Sequence, residues 1–328
     1  MPPNKESIAL YSPAGSAAIG GDVAKILSIP LSRVEESKFT GGERRLRPLD
    51  RVQGRPVCVI HSLFGGPDGS ANDRVCELLF LVGALKDLGA RHITACLPYL
   101  AYARQDRRNA HGDPVTLRYL AQMFEAAGVQ CVICLEVHNP AAFENAFRCQ
   151  TVHLETAPLF VRHFASKGAS GPGYAVVSPD IGGAKRARLL QGLLQAALRL
   201  PVSYAIMDKN RVDGVLSGTL FAGDVAGKHV IIVDDLISSG GTILRAISAC
   251  RRSGASLVHV AATHASFAPE ARRLFDPATP VQERPDSLVV TDSIPLAGDF
   301  LRWANGSLTV LAVAPMLAEA IGSLATGV

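Results

Sequence analysis

No apolar stretch in this 328-residue chain approaches the roughly 20 residues that a membrane helix needs. The opening Met-Pro-Pro-Asn-Lys-Glu lacks the apolar core of a secretion signal, so a cytoplasmic location is expected. There is no dense Lys/Arg tract with interleaved aromatics, and a net charge of +4 is mild. Both argue against nucleic acid as the partner and suit small anionic substrates. Disorder is excluded by composition, because 48% hydrophobic against 19% charged residues is a globular balance. The seven cysteines are an odd number scattered through apolar segments, as expected of reduced core thiols rather than a disulfide framework. Cys131 and Cys134 form a CxxC, yet Val132 and Ile133 between them mark a strand. Residues three apart on a strand point to opposite faces, so zinc or redox chemistry is not expected there.

What the chain does have is alternation. Val57–His61 reads as a strand, Arg74–Leu88 as an amphipathic helix, His92–Leu97 as a strand, Thr116–Ala127 as a helix and Cys131–Leu135 as a strand. The pattern recurs: Tyr174–Ser178 strand, Ala184–Ala197 helix, Val202–Met207 strand, His229–Val233 strand, Thr242–Arg252 helix, Leu257–Ala262 strand. Such alternation predicts an α/β fold with parallel sheets flanked by helices, and two passes predict two similar halves. Length agrees, since one core rarely serves more than about 250 residues. Lys167-Gly-Ala-Ser-Gly-Pro-Gly173 is the most turn-rich segment and marks a boundary between residues 150 and 170.

The most informative stretch is Val230-Ile231-Ile232-Val233-Asp234-Asp235-Leu236-Ile237-Ser238-Ser239-Gly240-Gly241-Thr242. Its apolar run has the β-branched content of a buried parallel strand. Apolar spacing at Ile243, Leu244, Ala246 and Ile247 then starts a helix near Gly240 or Gly241. The loop between them sits at a helix N-terminus, where free N–H groups favour a phosphate and glycines allow close approach. Ser238, Ser239 and Thr242 offer hydroxyl donors. Asp234 and Asp235 suit the neighbouring hydroxyls of a sugar, or a magnesium ion. An ordinary strand-to-helix turn with capping aspartates is the alternative. Packing alone explains adjacent carboxylates beyond a buried strand poorly.

Asp234-Asp235-Leu-Ile-Ser-Ser-Gly-Gly-Thr242 resembles the phosphoribosyl pyrophosphate (PRPP) motif of the type I phosphoribosyltransferase fold, which is shared by enzymes that consume PRPP and the synthetase that makes it. Pro98-Tyr-Leu-Ala-Tyr-Ala-Arg-Gln-Asp-Arg-Arg108 and Ser178-Pro-Asp-Ile-Gly-Gly-Ala-Lys-Arg-Ala187 resemble two signatures of the ribose-phosphate pyrophosphokinase family. Further collinear matches run from Phe39-Thr-Gly-Gly-Glu43 through Asn72-Asp73, Glu77-Leu78-Leu79, His138, Asp208-Lys209-Asn210-Arg211 and Gly223-Asp224-Val225 to Thr263-His264.

The resemblance implies two phosphoribosyltransferase-like domains, residues 1–152 on the ATP side and 153–328 on the ribose 5-phosphate side. It implies transfer of pyrophosphate from ATP to the C1 hydroxyl of ribose 5-phosphate with Mg2+ as cofactor. Lys209 and Arg211 match catalytic cations carried on a mobile loop, here Asn210–Gly227; a solvated hairpin with ordinary charges is the alternative reading of that segment. Arg104, Gln105 and Asp106 match ATP contacts. Phe39 and Glu43 match an adenine loop that reaches in from a neighbouring subunit, which implies a homo-oligomer. His138 and Asp180 match magnesium-associated residues; because magnesium prefers oxygen, His138 would act through water or by orienting a phosphate. Asp234 through Thr242 would hold ribose 5-phosphate.

The family's adenine loop normally reads Phe-Ser-Asp-Gly-Glu, whereas Gly41 stands here at the acidic position. Ser238-Ser239 replaces Asp-Thr in the phosphate loop, and Asn210 replaces a frequent arginine. These departures describe a divergent member. A PRPP-consuming phosphoribosyltransferase and a catalytically silent regulatory paralogue are the competing readings of the motifs.

Overall fold

The computed structural model describes residues 8–66, 68–166, 172–212, 215–296, 298–304 and 306–326, with the side chains of 208–220, 325 and 326 outside the description. Two compact units divide the chain. One comprises Met1–Leu154 with Ser293–Pro295 and Ala312–Val328, the other Glu155–Asp292 with Leu296–Leu311.

The first unit contains β1 (Ala9–Tyr11), α1 (Ala17–Leu27), β2 (Val34–Lys38), β3 (Arg44–Pro48), β4 (Pro56–Ile60), α2 (Ala71–Asp87), β5 (His92–Leu97), α3 (Thr116–Ala127), β6 (Cys131–Leu135), α4 (Pro140–Ala146) and β7 (Gln150–Leu154). Five strands form a parallel sheet in the order β1-β4-β5-β6-β7, and β2 and β3 form a separate antiparallel hairpin. Val57, Val59, Ile93, Ala95 and Val132 pack one sheet face against apolar residues of α2 and α3. Cys134 joins that cluster and Cys131 does not, as expected for positions on opposite faces. Burial pushes the Cys134 thiol well above its ordinary value and the Cys131 thiol up to about 11, which leaves both as inert core groups.

The second unit contains α5 (Ala157–Ala165), β8 (Tyr174–Ser178), α6 (Ala184–Leu198), β9 (Val202–Val212), β10 (Val215–Ala222), β11 (His229–Ile237), α7 (Gly241–Arg252), β12 (Leu257–Ala265), β13 (Ser287–Thr291), α8 (Gly298–Trp303) and β14 (Leu308–Leu311). Its sheet runs β10-β9-β8-β11-β12-β13-β14, parallel except for the β9/β10 edge pair. The β11 run serves two cores by alternation. Val230 and Ile232 face the α7 side, while Ile231 and Val233 face α5 and α6. Each such fully buried side chain contributes about 1.5–3 kcal/mol.

The final helix, α9 (Ala314–Thr326), returns to the first unit and packs on α1. The sequence reading assigned all of 153–328 to the second half. Burial of Leu317 and Ile321 on α9 explains the return, since α1 supplies apolar cover within the first unit. Among the described residues no helix is long and apolar enough to cross a membrane.

Candidate active site

In the second unit the chain leaves β8 toward β9 on one side, while β11 pairs on the other, so strand order reverses between β8 and β11. The carboxyl ends at such a reversal diverge and open a crevice, the expected ligand position in an open α/β sheet. Asp180 follows β8 there, and Asp234 and Asp235 lie near the end of β11. The sequence reading ended this strand at Val233, but the ladder continues through the acidic pair. Asp234 aligns with Ala262, and Leu236 with His264, on β12. The carboxylates are therefore held by sheet backbone rather than by a loop.

Arg186, in the first turns of α6, places Nη1 3.9 Å from Oδ1 of both Asp234 and Asp235. The Asp235 amide donates to Asp234 Oδ1 at 2.9 Å. Burial first, then the Asp235 charge, push the Asp234 carboxyl well above the usual range; Arg186 opposes the rise and Asp180 adds to it. Among the described residues one guanidinium faces two adjacent carboxylates, an arrangement that favours a ligand bringing hydroxyl donors or a cation.

Asp180 is fixed by its own turn. The Gly183 amide donates to Asp180 Oδ1 at 3.1 Å, and Ser178 Oγ donates to the Asp180 carbonyl at 2.6 Å. A Cβ on Gly183 would stand 2.9 Å from Ser178 Oγ, so a larger residue there would displace the hydroxyl that holds the Asp180 carbonyl.

The phosphate loop ends at Gly240, which has φ +78° and serves as N-cap of α7 with no side-chain cap. The first N–H groups of α7 therefore receive no capping acceptor, the arrangement that binds oxyanions. Ser238 is held by its carbonyl, which accepts from the Ala268 amide at 3.1 Å, and Thr242 Oγ1 accepts from Arg245 Nη2 at 3.2 Å.

Lys209 and Arg211 lie on β9, paired with Thr219 and Leu216 of β10. The described backbone there is an antiparallel strand pair, where the sequence suggests a mobile loop over Asn210–Gly227 with a solvated hairpin as the alternative; the two side chains lie outside the described residues. In the first unit, Arg104, Gln105 and Asp106 follow β5, and Asp106 Oδ2 accepts from Asn139 Nδ2 at 2.9 Å, beside His138 at the end of β6. The implied ATP segment and the implied magnesium histidine are thus neighbours. His138 and Asp180 belong to different units. Phe39, 49% exposed, and Glu43 close the β2/β3 hairpin, with the Phe39 amide donating to the Glu43 carbonyl and the Gly42 amide to that of Phe39, both at 2.9 Å. Arg45 lies 5.9 Å from the Phe39 ring centroid. Arg186 was not assigned a role from sequence; a cation one helical turn after the Asp180-Ile-Gly-Gly turn was the available signal.

Parallel α/β units with a carboxylate pair and an uncapped helix N-terminus at the strand reversal define a phosphoribosyltransferase-type protein. The chain matches family models for the N-terminal domain of ribose phosphate pyrophosphokinase over residues 8–128 and for the phosphoribosyl transferase domain over residues 159–287. It is 32% identical to a ribose-phosphate pyrophosphokinase of Fusobacterium nucleatum over 97% of this chain and 95% of the relative. It is 33% identical to one of Rhodopirellula baltica, covering 95% of this chain and 93% of that one. The crystal structure of phosphoribosylpyrophosphate synthetase from Mycobacterium smegmatis superposes with a TM-score of 0.82 at 28% identity, covering 98% of this chain and all of that one. The chain belongs to the ribose-phosphate pyrophosphokinase family.

Proposed function

We propose that the protein transfers the β,γ-pyrophosphoryl group of ATP to the C1 hydroxyl of ribose 5-phosphate, giving PRPP and AMP in the cytoplasm. The acceptor half of this reading rests on the strand reversal of the second unit, where Asp234, Asp235 and the open end of α7 fall within residues 234–242, and the donor half on the likeness of residues 8–128 to the N-terminal domain of ribose phosphate pyrophosphokinase. The 5-phosphate takes the N–H groups of Gly240, Gly241 and Thr242 with hydroxyl help from Ser238 and Ser239, and the carboxylates accept the ring hydroxyls. A sugar phosphate bound at both ends has lost its rotational freedom before reaction, which is where much of the rate enhancement arises. Lys209 and Arg211 stabilise charge spreading over the transferred group. Arg104, Gln105 and Asp106 hold ATP, with Phe39 and Glu43 of a neighbouring subunit around the base, so the active form is an oligomer.

Asp180, Asp234 and Asp235 of the second unit form an oxygen-rich, carboxylate-crowded set that fits magnesium. Among the described residues no group of three or more metal-ligating side chains makes a cage by itself. Magnesium commonly uses one or two carboxylates and completes its shell with water and substrate phosphates. When bound it neutralises polyphosphate charge.

Incubation with ATP, magnesium and ribose 5-phosphate is expected to yield AMP and PRPP in equal amounts; no product with any nucleoside triphosphate overturns the reading. Gly240→Ala tests the phosphate loop. Its Cβ would lie 3.1 Å from Leu274 Cδ1 at a φ of +78°, so the loop must shift. We expect a stability loss of about 1 kcal/mol and a KM for ribose 5-phosphate raised by about tenfold. Denaturant melts and initial rates check both.

A further inference from the structure

A buried polar chain crosses the first unit without a role in the site described above. His61, at the carboxyl end of β4, has no solvent exposure; its Nε2 meets Glu77 Oε2 on α2 at 3.1 Å and its Nδ1 meets Ser16 Oγ at 3.0 Å. Serine, histidine and a carboxylate in series look like a nucleophilic triad, but the geometry denies that use. Ser16 Oγ is occupied by the Ser62 amide at 2.9 Å, and Ser16 is only 3% exposed. The ring nitrogens are also reversed relative to hydrolytic triads, in which Nε2 faces the hydroxyl.

Glu77 carries two further partners. Arg74 Nη1 lies 3.1 and 3.0 Å from its two oxygens, and Arg44 Nη1 donates to Oε1 at 2.7 Å. Burial alone would raise the Glu77 carboxyl, but His61 and Arg74 outweigh it and hold it below the usual range. Both guanidinium groups are admitted by glycines. A Cβ at Gly15 would stand 3.0 Å from Arg74 Cζ, and one at Gly69 would stand 3.1 Å from Arg44 Nη2. Arg44 is the first residue of β3, paired with Lys38 of β2, and so closes the hairpin whose turn is Phe39–Glu43. The same helix anchors the other donor segment, since the Tyr102 hydroxyl donates to Asn72 Oδ1 in the first turn of α2. Tyr102 sits at φ +62°, a strained conformation that needs such an anchor.

We infer that Arg44 is a positioning residue for the nucleotide donor, fixing the Phe39–Glu43 turn to α2 through Glu77 as Tyr102 and Asn72 fix the Arg104–Asp106 segment to the same helix. This rests on the proposed function for what the two segments hold. A turn carrying Thr40, Gly41 and Gly42 has no side-chain scaffold of its own, so its aim depends on the residue that ends it. A flexible hairpin would have to be ordered on each binding event, and pre-organisation removes that cost.

Arg44→Met cuts the link and keeps an apolar stem of similar length; Arg44→Lys keeps the charge without the planar fork. In the full-length enzyme we expect the KM for ATP to rise about tenfold in Arg44→Met and about threefold in Arg44→Lys. We expect kcat to stay within about threefold and the KM for ribose 5-phosphate within about twofold. A merely structural role would lower the active fraction, and hence kcat, without selecting one substrate. An unchanged KM for ATP, or a loss confined to kcat, overturns the inference. If the wild type makes no PRPP, the functional reading fails by itself, and titration with trinitrophenyl-ATP decides the positioning role. About tenfold weaker binding in Arg44→Met supports it; equal binding, or binding by neither protein, overturns it.

Discussion

Lys209→Ala is expected to lower the turnover number for PRPP formation by about 10²- to 10³-fold while ribose 5-phosphate affinity stays within about twofold. The split follows from where the groups sit in the chain. Ribose 5-phosphate is assigned to the end of β11 and the start of α7, whereas Lys209 is on β9, separated from β11 by β8. A cation that meets the pyrophosphoryl group only as charge spreads contributes to the transition state and little to the acceptor's ground state. The ladder pairing of residue 209 with Thr219 uses backbone groups, which alanine retains, so the melting temperature is expected to hold. Arg211, two residues along the same strand, leaves a residual rate. Steady-state kinetics together with a direct ribose 5-phosphate titration measure the split. Unchanged turnover would remove Lys209 from the mechanism, and equal losses in turnover and acceptor affinity would make it a binding group instead.

The β11–α7 segment was the most legible part of the sequence because several levels agree there. The apolar run, the glycines and the helical spacing after them all demand a strand, a tight turn and a helix. The sequence still ended β11 too early. Polarity at Asp234 and Asp235 reads as the edge of a strand, but ladder hydrogen bonds use backbone groups and are indifferent to that polarity; pairing with β12 carries on to Ile237. The β9/β10 pair was legible only as an alternative to a loop over Asn210–Gly227, because an edge strand need not be covered on both faces and the glycines spaced through that segment punctuate it as a loop would. The return of α9 was invisible for a different reason: an amphipathic helix announces that it needs a partner and not which one. The contact between Arg44 and Glu77 joins residues 33 apart, and no local spacing encodes it.

Asp234→Asn carries the sharper test of the acceptor site, because two effects of opposite sign are expected from one change. In the ligand-free protein it is expected to raise the thermal midpoint by a few degrees, since it removes a buried charge set against Asp235 while Arg186 remains beside Asp235. It is also expected to weaken ribose 5-phosphate binding by about a hundredfold, because an amide competes poorly with a carboxylate for sugar hydroxyls and for magnesium. The pH dependence fixes the sign. Asp234 has a folded pKa above its ordinary 3.8, so the folded state binds more protons than the unfolded one across the interval between them. Its contribution to stability is fully present below the unfolded value and is lost as pH rises through the raised midpoint. A ligand that requires the ionised pair must then expel a proton when it binds below that midpoint. Titration calorimetry of magnesium and ribose 5-phosphate in two buffers of different ionisation heat is therefore expected to give buffer-dependent enthalpies for the wild type and buffer-independent ones for Asp234→Asn. Buffer-independent heats for the wild type across pH about 5 to 8 would show that the pair is already ionised before the ligand arrives. The stability gain in the variant would then have to shrink as well, since both effects have the raised Asp234 midpoint as their source.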